Sequence, residues 1–292
     1  MDEKKAISAL KLGIVLTSIF FVMELVGGYV SGSLSLLGDA GHMLRDILAL
    51  VLSLLAINLA RRFPTEGRTF GYHRAEVMVA LLNGLMLFVI SIWIFREAID
   101  RIRDPREIDS VIMFVVAFIG LVINAIIAWK LHGSHDLNVR SAFLHVLTDL
   151  LSSVAVIIAS VIIFFTGFTI VDPILGILIG IFILISSGKL IWDSVYILLE
   201  FTPRNVDVAR VIEEMESLEG VQGIHNVHIW TLCSNINVMD AHILTNERDM
   251  AEVEEIKEKA KEVLREQNIA HITLEFECLE CGSSDRVCMI EH

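Results

Sequence analysis

Six apolar runs, at residues 11–30, 36–59, 76–95, 110–129, 141–165 and 173–190, decide what this chain can become. Each is long enough to cross the hydrocarbon core of a bilayer as a helix, for which about 20 apolar residues suffice. No water satisfies the backbone inside lipid, so a chain with these runs is confined to a bundle of helices. A hydrophobic share of 54% over 292 residues agrees with that and not with an ordinary globular protein. Six spans put both termini on one side. Lys4, Lys5, Lys11, Arg61, Arg62, Arg68 and Arg74 flank that side, which places the termini and the loops between spans 2 and 3 and between spans 4 and 5 in the cytoplasm. Segment 96–109 runs against the rule with Arg96, Arg101, Arg103 and Arg106, but five acids are interspersed and the first span dominates orientation. The opening MDEKKAISALKLG has no small-residue cleavage site, so the first run reads as a retained span. Asp172-Pro173 reads as a helix cap followed by proline at the first helical position, opening span 6. Glycines scattered through the spans, among them Gly27, Gly28, Gly32, Gly84, Gly120, Gly176, Gly180 and Gly188, read as close helix packing.

Charge and periodicity both change near Pro203. Residues 1–202 hold 15 basic against 17 acidic side chains, whereas residues 203–292 hold 8 against 19. Val208, Val211, Ile212, Met215 and Leu218 have helical spacing within 206–218. Strands follow at 223–231 and 236–244 around a Cys233-Ser234-Asn235 turn, then a solvated helix at 249–267 and a strand at 270–277. In that last strand Ile272, Leu274 and Phe276 face one way and His271, Thr273, Glu275 and Glu277 the other. The order αββαβ predicts a small α+β sandwich with its helices on one face of the sheet. The chain therefore divides into a six-helix membrane domain over 1–202 and a cytoplasmic domain over 203–292. So acidic a tail argues against nucleic acid, whose phosphates it would repel. All four cysteines lie in the tail, and in the cytosol Cys278-x-x-Cys281, with Cys288 beyond it, reads as reduced thiols or a metal site rather than a disulfide.

Chemistry is concentrated in two matching phrases. His42 and Asp46 stand four residues apart in GDAGHMLRDILAL, residues 38–50, and His145 and Asp149 repeat the spacing in LHVLTDLL, residues 144–151. On a helix that spacing puts both side chains on one face, about 6 Å apart along the axis. Ionisable groups at membrane depth are costly and mark an ion, substrate or proton path. Two isolated interhelical hydrogen-bonding pairs are the bland alternative, and it accounts poorly for one phrase used twice. Two imidazoles and two carboxylates suit a tetrahedral zinc ion. Imidazole binds metal only when neutral, so metal and protons compete for the site and exchange across it. Spans 2 and 5 run in opposite directions, so the two pairs meet only if those helices project beyond the apolar runs. No HExxH phrase is present and a full quartet leaves no open water position, which argues against an intramembrane metallohydrolase.

GSLSLLGDAGHMLRD at 32–46, TFGYHRAEVMVALLNG at 69–84, AFLHVLTDLLSS at 142–153, DPILG at 172–176 and HITLEFE at 271–277 give the chain a resemblance to the cation diffusion facilitator family of zinc transporters along essentially its whole length. The resemblance implies six spans followed by a metallochaperone-like, ferredoxin-like cytoplasmic domain. It makes His42, Asp46, His145 and Asp149 the transport site, with zinc or cadmium favoured by the two histidines. It implies that His73 contributes to an accessory metal site, that Arg74 and Glu200 form a charge interlock between spans 3 and 6, and that His225 and His242 bind zinc in the tail. His271, Glu277, Cys278 and Cys281 are further candidate ligands there, as are His228 and Asp240. Arg45 departs from the family pattern of a small polar residue between the ligands, with Asp39, Glu24 or lipid headgroups as its candidate partners. Asp39 reads first as structural support, with guidance of ions or capping of span 2 as alternatives, and Asn83 and Asn124 read as interhelical hydrogen bonds rather than ligands. The expectation is a homodimeric antiporter of the cytoplasmic membrane, not an enzyme, that exports Zn2+ in exchange for protons and senses zinc through its tail. Cobalt, nickel, iron and manganese remain open as cargo, and a membrane metal sensor is the rival reading.

Overall fold

The computed structural model describes the backbone of residues 3–60, 65–131, 137–233 and 236–278, with side chains from residue 15 onward except 16, 53–60, 130–131, 137–142, 144 and 145. Arg61, Arg62, Ser234, Asn235, Cys281 and Cys288 lie outside the described residues, as does the side chain of His145. Six long helices come first: α1 (Glu3–Ser31), α2 (Leu34–Ala60), α3 (His73–Arg103), α4 (Ser110–Leu131), α5 (Leu137–Thr166) and α6 (Val171–Leu198). Over the described side chains α3, α4, α6 and α5 from Val146 are long and apolar enough to cross a membrane. The chain forms two compact units, Met1–Asn58 with Val79–Ile191 and Leu59–Met78 with Trp192–His292.

In the first unit one end of α2 is shared by two apolar clusters. Leu36 packs with Met113, Val116 and Ala117 of α4 and Val156, Ala159 and Ile163 of α5. Leu34 packs with Leu87, Ile94 and Ala98 of α3 and Ile183 of α6. Glycine makes these approaches close. A Cβ at Gly120 would lie 2.4 Å from the Phe20 ring and one at Gly84 would lie 2.8 Å from Ile191 Cγ1. Gly188 departs from the expectation of close packing, having nothing within 4 Å of a Cβ there, and Gly32 serves a turn with φ +72°.

Asp172 corrects the sequence reading. It lies within the first turn of α6 rather than capping it, and its fully buried carboxylate caps α2 instead. Oδ2 accepts from Leu34 N at 2.6 Å, while Oδ1 accepts from Ser33 Oγ at 2.6 Å, Ser35 Oγ at 2.6 Å and Ser35 N at 3.1 Å. Leu36 N donates to Ser33 Oγ and Ser33 N to Ser31 Oγ, so all four open donors at the start of α2 are satisfied. One arginine of 96–109 finds its place here too. α3 continues through Arg103, and Arg101, 9% exposed, donates to Glu97 and to Gly32 O and stands 3.9 Å from Asp172 Oδ2. Arg101 thus serves the fold, and its sign says little about orientation.

The second unit has the expected order: α7 (Val208–Glu216), β1 (Gly223–Cys233), β2 (Ile236–Leu244), α8 (Met250–Glu266) and β3 (Ile269–Glu277). Asp207 and Asp249 cap the two helices through their side chains. β2 pairs antiparallel with β1 and parallel with β3, a parallel pairing that the α8 crossover makes reachable. Val211, Ile212 and Met215 of α7 and Ala260 and Leu264 of α8 cover one sheet face, meeting Ile229, Met239 and Ile243, with Ile272, Leu274 and Phe276 against them as expected.

Candidate metal centre

α2 and α5 begin at Leu34 and Leu137, ahead of the apolar runs, so His42 and Asp149 each sit about two turns or more inside a helix and can share a depth. They do meet. His42 Nε2 lies 3.5 Å from Asp149 Oδ1 and 3.9 Å from Asp46 Oδ2. The His42 ring, 6% exposed, stands edge-on to Phe182 of α6 at 5.3 Å. Side-chain exposure rises from 8% at His42 to 22% at Asp46 and 25% at Asp149, so the carboxylates are the approachable part of the trio. His145 lies on α5, its side chain outside the described residues. An imidazole nitrogen between two carboxylates on different helices offers the mixed nitrogen and oxygen donors that a divalent cation takes.

Among the described residues Arg45 forms no ion pair with Asp39 or Glu24, two of its three candidate partners beside lipid headgroups; its side chain is half-buried. Asn83, 6% exposed, was expected to bridge helices, yet its Oδ1 accepts no hydrogen bond among the described residues.

The tail holds a tighter group. Among the described residues His225, His242 and Glu277 are the set whose ligand atoms lie within 4.8 Å of one another. His242 Nδ1 donates to Glu277 Oε1 at 2.7 Å, leaving Nε2 to accept from Asn226 Nδ2 at 3.1 Å. His225 Nε2 is 3.3 Å from Glu277 Oε2, although neither buried atom makes a proper hydrogen bond among the described residues. Two buried donors of opposite kind facing each other unsatisfied fit a cation held between them. Asn226 explains the placement. Residues 225 and 228 are an odd number apart, so in a regular strand they would face opposite ways. A bulge between them, with Asn226 at φ 50°, keeps both off the core face, where Asn226 Oδ1 pairs with His228 Nε2 at 3.0 Å.

The other expected ligands stand apart from this trio. His271 packs its ring edge-on to Phe70 at 5.5 Å, and exposed Cys278 lies 3.8 Å from Glu247 O. Asp240 is half-buried, with Oδ1 unpaired among the described residues. His73 opens α3 with Nδ1 3.3 Å from Cys233 Sγ, a neighbour that sequence reasoning did not supply. Burial, aided by the Glu76 carboxylate, pushes the Cys233 thiol up to about 11. Arg74 and Glu200 pair as expected, both exposed. Glu200 takes a left-handed φ of 58° just past α6.

Residues 10–199 match the family profile described as "Cation efflux transmembrane domain", and residues 203–277 match "Cation efflux protein, cytoplasmic domain". The chain is 37% identical over 273 residues to a "Cadmium, cobalt and zinc/H(+)-K(+) antiporter" of Bacillus subtilis, covering 92% of this chain and 88% of that one. It is 39% identical over 279 residues to "Metal cation efflux system protein CzcD" of Cupriavidus metallidurans, covering 95% and 88%. Over 276 residues it is 41% identical to "Zinc transporter ZitB" of Escherichia coli, covering 92% and 87%.

Proposed function

Since the chain belongs to the cation efflux, or cation diffusion facilitator, family, we propose that it is a proton-coupled antiporter exporting Zn2+ from the cytoplasm through His42, Asp46, His145 and Asp149. Efflux of divalent metal cations across a membrane, rather than enzymatic turnover, is the activity of the family, and the relatives' names add zinc, cadmium and cobalt as cargo. One observation carries the finer reading: His42 of α2 stands between Asp46 and Asp149, carboxylates from two different helices. Protein groups in a membrane interior are put to such use at ion paths. The two aspartates neutralise the cation, and the imidazoles release it as they take up protons. Ligands divided between helices let the site open when the helices rock.

The orientation proposed has both termini and the tail in the cytoplasm. A cation then enters past the exposed carboxylates and leaves toward the α2 N-terminal end. The cytoplasmic domain belongs to the dimer-forming type, so the transporter works as a homodimer in the lipid bilayer. His225, His242 and Glu277 are the proposed cytosolic zinc sensor, and His73 with Cys233 an accessory site. The Arg74–Glu200 pair is the proposed interlock.

The test is zinc flux in proteoliposomes under an imposed pH gradient, comparing the native chain with Asp149→Ala. Gradient-driven movement that the variant loses while remaining folded supports the reading. A static native chain would turn the assay to cobalt, manganese and iron, and if these too stayed put, to the metal-sensor alternative.

A further inference from the structure

The polar stripe of the metal centre continues past His42. On α2, Asp39 stands three residues before His42 and seven before Asp46, the spacing of a single helix face. On α5, Ser152 stands three residues after Asp149. Spans 2 and 5 cross in opposite directions, so both continuations lead the same way, toward the α2 N-terminal end. There the Ser152 hydroxyl lies against Asp39 without reaching good hydrogen-bond geometry. Glu24 of α1 completes the group. It is 1% exposed, its Oε2 accepts no hydrogen bond among the described residues, and it lies within electrostatic reach of Asp39 and Asp149. The charges that face these two acids are His42, Asp46 and Asp149, with no lysine or arginine of the described residues among them.

A glutamate sealed inside a helix bundle, with an unused oxygen and a second buried acid within electrostatic reach, keeps its charge only when a cation sits with it. We propose that Glu24, Asp39 and Ser152 form a second, oxygen-lined cation station on the release side of the His42/Asp46/Asp149 centre, which holds the divalent cation as it leaves. The proposal rests on the transport reading of that centre. Donor chemistry gives the station its use. Oxygen alone holds zinc less tightly than sites with imidazole, so the cation passes from a stronger site to a weaker one, as an exit path requires.

The experiment uses the full-length chain in proteoliposomes with zinc as the probe. Flux from the cytoplasmic face is measured against rising zinc on the release face for the native chain, Glu24→Gln and Glu24→Asp. If the station binds the departing ion, release-face zinc inhibits flux in the native chain. Glu24→Gln then raises the inhibitory concentration about tenfold and lowers the maximal rate, with the cytoplasmic-face KM unchanged. Glu24→Asp, which keeps the carboxylate, restores most of the inhibition. Unchanged release-face inhibition in Glu24→Gln overturns the proposal. So does loss of pH-gradient dependence with that inhibition intact, which would make the acids proton carriers only. Equilibrium zinc binding reports whether the variant's main centre survives, and where Glu24→Gln loses it, Ser152→Ala carries the same comparison. A native chain that moves no zinc would remove the transport reading itself, a result distinct from these.

Discussion

Replacing Asp172 tests how the membrane unit is held together. Asp172→Ala removes the acceptor for two backbone N–H groups, Leu34 and Ser35, and for two hydroxyls, Ser33 and Ser35. The hydroxyls can turn to other acceptors; the N–H groups are fixed by the helix. Each buried donor left unsatisfied costs about 1–3 kcal/mol. Arg101, 3.9 Å away and 9% exposed, loses one carboxylate neighbour and keeps the other, Glu97, at 2.9 Å. The expected loss is therefore about 2–6 kcal/mol, that of two such backbone donors. Asp172→Asn keeps one acceptor oxygen and should fall between that variant and the native chain. Ser35→Ala removes one hydroxyl donor, spares both backbone bonds to Asp172 and the Leu36 N bond to Ser33 Oγ, and should cost least of the three. Unfolding of the purified protein in detergent micelles, titrated with a denaturing detergent, gives the ranking. The reasoning fails if Ser35→Ala proves as unstable as Asp172→Ala, because the backbone donors would then not be what the carboxylate serves.

Other perturbations follow from the same contacts. Gly84→Ala drives a methyl to 2.8 Å from Ile191 Cγ1 and 3.3 Å from Ile191 N, and should destabilise the chain by about 1–3 kcal/mol in that assay. Glu277→Gln should weaken zinc binding by the tail at least 10- to 100-fold in a titration of the full-length protein, since it touches both histidines; an unchanged isotherm would remove the trio as a site. Cys233, with its thiol pushed up to about 11, should react with maleimide at pH 7.5 roughly a hundredfold more slowly than an ordinary exposed thiol, because the thiolate is the nucleophile. The sign for stability follows: the buried neutral thiol favours the folded state fully below about pH 9, and that contribution fades as pH rises toward 11. Arg74→Ala should shift unfolding by no more than about 1 kcal/mol, the pair with Glu200 being exposed, so a larger flux defect would be a matter of mechanism.

What the sequence made legible was periodic or repeated. Apolar runs announced the helices, alternation at Ile272, Leu274 and Phe276 announced the core face of β3, and the doubled His-x-x-x-Asp phrase led to His42, Asp46 and Asp149. What escaped was set by distance along the chain or by one residue of irregularity. Asp172 resembles a local cap in sequence, and only the fold shows that its carboxylate reaches 138 residues back to Leu34 N. Arg101 counts as a loop charge until α3 is seen to continue through it. The grouping of His225 with His242 and Glu277 needs the Asn226 bulge, whose one signal was the odd spacing of His225 and His228 around an asparagine that tolerates positive φ. Nothing local tied His73 to Cys233, 160 residues away.

The clasp between α6 and α2 also has a meaning in the order of synthesis. Span 2 enters the membrane well before Asp172 has been made, and its first donors wait until a residue 137 to 139 positions downstream arrives. The sixth span is thus the one that finishes the second. A nascent chain cut short anywhere between them carries open hydrogen-bond donors at the start of α2.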